Sequence, residues 1–397
     1  MDEVSSAAAA PQLSRASVFC AGMAALVLTV GLARFAYTPL LPIMREQAGL
    51  GTVAGGWLAT FNYLGYMIGA LIAARTHDLH RKYAMYRIGL AVAVLSTAAM
   101  GLTLNVYAWA LLRFVSGVSS TAGLLLASGL VLNWLTRSGH RPELGFHFAG
   151  LGLGIVVSGL AVELMATRVA WDEQWIGLGL LGAVLFVPAW FWMPAPVPRG
   201  AHGAVAPRPP PPRRWLASML GAYFCAGFGY VISATFIVAI VGRLPALAGK
   251  GNWVWVTVGV AAIPASFLWD RAARALGDTP ALILAYALQI VSILLPVFSG
   301  GAAANLLSAV LYGGTFVGIV SLMLTIIGRR YPVNPAKAMA GLTLSYGLAQ
   351  ILAPAMAGYI AAASGSYRDA LMVAAGVMAV GMLWLAASGP PQHAPGD

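Results

Sequence analysis

This chain has little charge. Only 9% of its 397 residues are Asp, Glu, Lys or Arg, against roughly a quarter in soluble domains, and 60% are hydrophobic. With a mean hydropathy of +0.81, a soluble globular fold is excluded, because so few polar groups cannot cover a water-facing surface. Cysteine is nearly missing too. Cys20 and Cys225 lie in separate apolar runs with no histidine beside them, which rules out a disulfide framework and a zinc site. No glycine-rich loop runs into Lys and then Ser or Thr, so an ATP-driven pump lacks its phosphate cradle. No nucleophile, base and orienting group share one depth, which argues against an enzyme. The glycine triads Gly177, Gly179, Gly182 and Gly150, Gly152, Gly154 follow no strand, so they mark no dinucleotide site. The expectation is a protein without cofactor or metal.

What is abundant is unbroken apolar sequence. Crossing roughly 30 Å of hydrocarbon takes about 20 mostly apolar residues. Twelve runs qualify, at 17–38, 52–74, 83–105, 108–134, 144–166, 174–194, 216–240, 252–270, 279–299, 302–327, 338–363 and 368–387, and they predict an all-α membrane protein with twelve transmembrane helices. The tail before the first run carries Asp2, Glu3 and Arg15 and lacks the basic start of a cleaved signal, so that run is read as helix 1. With both termini cytoplasmic, the inner segments hold Arg15, Arg75, Arg81, Lys82, Arg87, Arg137, Arg141, Arg199, Arg208, Arg213, Arg214, Arg271, Arg274, Arg329, Arg330 and Lys337. The outer segments hold only Arg45, Arg168, Arg243, Lys250 and Arg368, and Arg34 and Arg113 lie within spans. This excess on one side is the orientation rule of membrane proteins, so the net charge of +11 reads as topology and not as a nucleic-acid footprint.

The chain divides into a cytoplasmic tail (1–16), a first six-helix bundle (17–194), a Pro- and Arg-rich linker (195–214), a second six-helix bundle (215–387) and a closing cytoplasmic tail (388–397). The linker contains Pro209 to Pro212 and no apolar periodicity, as befits an extended, solvated connection. A constant shift of 196 places Gly31 on Gly227, Gly55 on Gly251, Trp57 on Trp253, Arg75 on Arg271 and Gly117 on Gly313. These matches predict two repeats of like orientation.

Two six-helix halves joined by a basic loop resemble the Major Facilitator Superfamily over nearly the whole chain. Arg113 and Gly117 within Leu111 to Gly123 look like that family's helix 4 signature, and Gly347, Gln350, Pro354 and Gly358 are similar to its late helix 11 pattern. The loop after helix 8, with Asp270, Arg271 and Arg274, resembles the second copy of the family's gating motif, Ser266 and Ala273 replacing its usual glycines. In the first copy Ala74 replaces the acid, while Arg75, Arg81 and Lys82 keep the basic part. More narrowly, Gly31, Arg34, Phe35, Ala36, Tyr37, Thr38, Pro39, Leu40, Leu41, Pro42 and Met44 look like the helix 1 ending of the bacterial YbfB/YjiJ-type branch. The resemblance implies a secondary transporter of the bacterial inner membrane, working as a monomer, with a cavity between halves that rock. It names no substrate.

An ionisable group inside a span costs about 2.5–3.5 kcal/mol on insertion scales, so one that persists faces a cavity or a partner. Arg34 lies deep in helix 1 with Tyr37 three residues on, on the same face. Its forked guanidinium pairs with an anionic substrate, or else snorkels outward or bonds carbonyls freed by Pro39 and Pro42. Arg113 enters helix 4 at a similar depth, with either a coupling or a structural role. No acid accompanies the two arginines within helices 1 and 4, the lining expected for a substrate that brings its own negative charge. Glu163, near the outer end of helix 5, is a proton carrier or the surface partner of Arg168, and His147 titrates or sits at the headgroups. Polar and aromatic residues form stripes: Asn62 and Tyr66, Tyr223 and Tyr230, Asn305 and Tyr312, and Thr343, Tyr346 and Gln350. They contact an apolar substrate body or join helices to one another.

The expected function is alternating-access transport of a small, carboxylate-bearing organic anion, coupled to protons. The partners are that substrate, the proton and the bilayer. Two alternatives remain open: efflux of a neutral or apolar compound such as a sugar or drug, and a sensor that binds without turnover.

Overall fold

The computed structural model describes residues 14–141, 144–197, 211–331 and 335–387. Both terminal tails up to Leu13 and from 388 onward, and linker residues 198–210 with Arg199 and Arg208, lie outside the described residues. Helix is the only regular structure among those described. In lipid this is dictated by the backbone, whose N–H and C=O groups must be satisfied within the segment.

The twelve spans are α1 (Arg15–Gln47), α2 (Thr52–Arg75), α3 (Leu79–Leu102), α4 (Val106–Arg137), α5 (Gly145–Ala166), α6 (Trp171–Phe191), α7 (Arg213–Val241), α8 (Gly251–Ala262 and Ala265–Leu276), α9 (Asp278–Phe298), α10 (Ala302–Arg330), α11 (Pro335–Ser364) and α12 (Arg368–Ala387). An even number of crossings returns the chain to the side where α1 begins. That side is called the termini side here.

One expectation is corrected. Asp270, Arg271 and Arg274 do not form a loop after helix 8; they lie within the helix Ala265–Leu276. The physical reason is Pro264, which cannot donate to the helix ladder. The rod bends by 46° there and then continues as an amphipathic half on which Arg271 and Arg274 are exposed. It stops at Gly277, at φ +92, a backbone conformation that side chains resist.

The duplication is visible in the packing. A Cβ on Gly117 would stand 1.9 Å from the Asn62 carbonyl oxygen, and one on Gly313 would stand 2.1 Å from that of Val258. Both members of each pair differ by 196, so α4 crosses α2 in the register in which α10 crosses α8. Two bonds between the halves repeat it again. Trp57 donates from Nε1 to the Tyr359 hydroxyl at 3.3 Å, and Trp253 donates from Nε1 to Glu163 Oε1 at 3.0 Å.

Large apolar side chains such as Leu95, Leu180, Val291 and Leu383 on α3, α6, α9 and α12 remain exposed and present the lipid-facing rim. The other eight helices surround the centre.

Candidate substrate cavity

A cavity of about 190 Å³ lies between the two halves. Val30, Arg34 and Phe35 of α1, Tyr66 of α2, Leu124 and Leu125 of α4, and Phe148 and Leu151 of α5 line one side. Tyr223 and Tyr230 of α7, Ser266 of α8, Phe316, Val317, Val320, Ser321 and Leu324 of α10, and Thr343, Tyr346 and Gln350 of α11 line the other. Arg34 is its one charged lining residue, and the lining contains no Asp or Glu.

Arg34 is presented by a local break in helix periodicity. Residues Val27–Phe35 of α1 are π-helical, a widened turn common at functional sites. Carbonyls along this segment are served by α4. Arg113 donates to Ala33 O at 3.0 Å and Arg34 O at 3.3 Å, Ser116 donates to Ala33 O at 2.6 Å, and Ser120 donates to Thr29 O at 3.0 Å. Arg113 is thus a strut: it fixes the backbone that carries Arg34.

Two guanidiniums coexist here because each lies on ring faces. Arg34 sits 4.3 Å from the Tyr63 ring centre and 4.8 Å from that of Tyr66, and Arg113 sits 4.5 Å from that of Tyr37. Ring quadrupoles stabilise a cation without neutralising it. Arg34 lines the cavity and makes no ion pair among the described residues, so its positive charge stays available there.

The residues singled out from sequence separate into two groups. Arg34, Tyr66, Tyr230, Tyr346 and Gln350 line the cavity. Tyr37, Asn62, Arg113 and Tyr312 do not, because their polar groups are engaged elsewhere. The Tyr37 hydroxyl donates to Gly55 O at 2.8 Å, Asn62 Nδ2 donates to Arg113 O at 3.0 Å, and the Tyr312 hydroxyl donates to Tyr230 O at 2.8 Å. His147 is wholly buried, packed against Gly22 with its Nε2 2.9 Å from Ser128 Oγ, and so is neither at the headgroups nor in the cavity. Tyr63, absent from the predicted set, carries the closest ring to Arg34; its spacing of three from Tyr66 was the signal available.

Glu163 also stands apart from the cavity. It accepts from Asn252 Nδ2 and Trp253 Nε1, both at 3.0 Å, and makes no ion pair with Arg168 among the described residues. It borders a second cavity of about 580 Å³ on the side opposite the termini, with Arg45, Glu46 and Arg243. Between the two cavities stands the bond from Thr38 Oγ1 to Ala234 O. On α1 the inner cavity ends at Phe35 and the outer begins at Pro39; on α7 they end and begin at Tyr230 and Val238. Thr38 and Ala234 are again 196 apart, so this partition joins repeat-related positions.

All side-chain hydrogen bonds that join the halves among the described residues lie in the half opposite the termini or at its inner edge. Besides those named, Arg45 reaches the Tyr367 hydroxyl, Thr60 the Ile351 carbonyl and Trp255 the Ser158 hydroxyl. Toward the termini side the central cavity adjoins another of about 300 Å³ through shared Leu125 and Thr343, with Lys82 at its edge. There Asp270 pairs with Arg274 on its own helix, and Arg75 makes no ion pair among the described residues. Among the described residues, no hydrogen bond or ion pair from Arg75, Asp270, Arg271 or Arg274 crosses between the halves.

The comparisons with known proteins agree with this architecture. Residues 26–386 match the family model described as uncharacterised MFS-type transporter YbfB. An uncharacterised MFS-type transporter of Yersinia pestis is 23% identical over 262 residues, 63% of this chain and 66% of that one. YceJ of Bacillus subtilis, also named an MFS-type transporter, is 35% identical over 96 residues, 24% of each chain. A gallate transporter of Pseudomonas putida is 24% identical over 196 residues, 49% of this chain and 42% of its own. The alignments thus span less than half of the Bacillus and Pseudomonas relatives. Among solved structures, the nucleoside transporter NupG superposes with a TM-score of 0.72 at 12% identity, covering 94% of this chain and 98% of that one. The human organic anion transporter MFSD10 gives 0.66 at 16%, covering 94% and 98%. With its family model matched from helix 1 to helix 12 and its fold shared with these transporters, the chain belongs to the YbfB-type family of Major Facilitator Superfamily transporters.

Proposed function

We propose that this transporter moves a small organic anion, held by its carboxylate on Arg34, by alternating access. The observation that carries the reading is a buried guanidinium facing a cavity between the halves whose lining offers no acid. A forked cation in a low-dielectric cavity binds a carboxylate bidentately, whereas a cationic substrate would be repelled. The name of the gallate transporter, a carboxylate carrier, supports the same class.

By the orientation rule the termini side is the cytoplasm of a bacterial inner membrane. The conformation is then closed outward and continuous inward, and the protein works as a monomer. A proton is the coupling ion, and Glu163 is its carrier. A carboxylate accepting two N–H bonds across the halves holds the outer side shut, and protonation removes the charge that strengthens those bonds.

Ligand-dependent melting of detergent-purified protein tests the anion reading. A ligand that binds only the native state raises the melting temperature by mass action. Small carboxylates are expected to stabilise the wild type and to lose that effect in Arg34→Gln. Equal stabilisation of both proteins by neutral compounds would replace the anion reading with transport of neutral solutes. Glu163→Gln is expected to retain binding and to lose proton-driven accumulation in proteoliposomes; unaltered accumulation removes Glu163 from coupling.

A further inference from the structure

The wall facing Arg34 is built of near-parallel rings. Tyr346 stacks on Tyr223 at 4.4 Å and 30°, and lies 5.9 Å from Tyr230 at 27°. Tyr230 in turn stacks on Phe316 at 5.2 Å and 27°. Tyr223, Tyr230, Phe316 and Tyr346 all line the cavity, and Arg34 lines it from the other half. Parallel rings on one side of a narrow space favour a flat ligand, because offset stacking rewards a planar π-system beyond the area it buries.

Three further features define that ligand. A volume of about 190 Å³ holds about six waters at roughly 30 Å³ each and falls below the roughly 300 Å³ where drug-sized sites begin, which suits one ring and its carboxylate. One cation and no acid set a single negative charge. Gln350 is 3% exposed and lines the cavity, yet its amide makes no hydrogen bond among the described residues. Its amide N and O open onto the cavity instead of being closed off in the interior, which leaves a donor and an acceptor free to meet a ligand group.

Resting on the anion reading above, we infer that the substrate class is the single-ring aromatic monocarboxylates bearing a polar ring substituent. The carboxylate forks onto Arg34, the ring stacks on the Tyr230 and Tyr346 wall, and the substituent hydrogen-bonds Gln350. This is a specificity that a short aliphatic acid does not satisfy.

Three matched probes test it on the full-length protein by calorimetry and melting: 4-hydroxybenzoate, its saturated-ring counterpart 4-hydroxycyclohexanecarboxylate, and the uncharged 4-hydroxybenzamide. Hexanoate is the acyclic control. The aromatic acid is expected to bind about two- to twelvefold more tightly than the saturated acid, and the amide not at all. Tyr346→Leu should erase the difference between the two acids while leaving Arg34-dependent carboxylate binding. Phe316→Leu serves if that variant does not fold. Gln350→Leu should bring 4-hydroxybenzoate to the affinity of benzoate, which lacks the ring substituent and is added as a reference for this variant. Equal binding of the saturated and aromatic acids overturns the ring inference and leaves the anion reading standing, as does Arg34-dependent binding of hexanoate alone. Amide binding equal to that of the acid, undisturbed by Arg34→Gln, overturns both, and so does failure of all four probes.

Discussion

At the scale of single residues, Arg34 and Arg113 show how like side chains on adjacent helices divide their work. Arg113 uses its N–H groups on the carbonyls of Ala33 and Arg34, so its removal takes the α4 donor from Arg34 O, leaves Ala33 O to Ser116 alone and loosens the π-helical segment. Arg113→Gln is expected to cost about 1.5–3 kcal/mol, the range for buried charge-assisted bonds, read as a lower melting temperature with or without ligand. Arg34→Gln, whose charge rests on ring faces, should melt close to the wild type and lose only the ligand-dependent rise. Arg34 was legible in the sequence because a cation in an apolar run is a one-dimensional signal. That Asn62, Tyr37 and Tyr312 bond neighbouring backbone was not, since a polar stripe on a helix looks the same whether it faces a cavity or another helix.

At the scale of elements, close helix crossings carry the fold. Transmembrane helices gain little from hydrophobicity against each other, and small residues let their backbones approach. Gly117→Ala and Gly313→Ala each place a methyl about 2 Å from a carbonyl oxygen and are expected to destabilise by about 1–3 kcal/mol apiece, as overpacking does. Gly129→Ala and Gly314→Ala, where a Cβ meets nothing within 4 Å, should be near neutral. Comparing the four melting temperatures tests the repeat register as well as the packing. The breaks within elements were less legible. Pro264 explains the bend of α8, but no residue type announces the π-helical segments Val27–Phe35 and Ala122–Ala127. They lie side by side on α1 and α4, where a Cβ on Gly123 would come within 2.2 Å of Thr29 Oγ1.

At the scale of the whole molecule, the side-chain hydrogen bonds that join the two halves among the described residues are confined to one side, while on the other Phe146 packs against Phe267. Such bonds are worth about 0.6 kcal/mol each on average in membranes, so the set amounts to a few kcal/mol, a gap that differential ligand binding is able to shift. Removing the two repeat-related tryptophan bonds by Trp57→Phe with Trp253→Phe is expected to raise the population open on the side opposite the termini. Spin labels at Glu46 and Lys250, both exposed on that side, should report longer distances in the double variant than in wild type. Unchanged distances would mean that packing of α2 on α11 and of α5 on α8 holds that side shut without these bonds.

Composition and periodicity by themselves determined the solvent, the twelve crossings, the side that collects basic residues and the internal repeat, because insertion into lipid acts on each segment nearly independently of its neighbours. The tertiary structure decided which polar groups share the cavity, which are struts, and which side is shut. Those properties depend on how each helix is rotated about its axis and on which partner it meets. The rotation is set by contacts between residues such as Thr38 and Ala234, 196 positions apart, that local sequence does not connect.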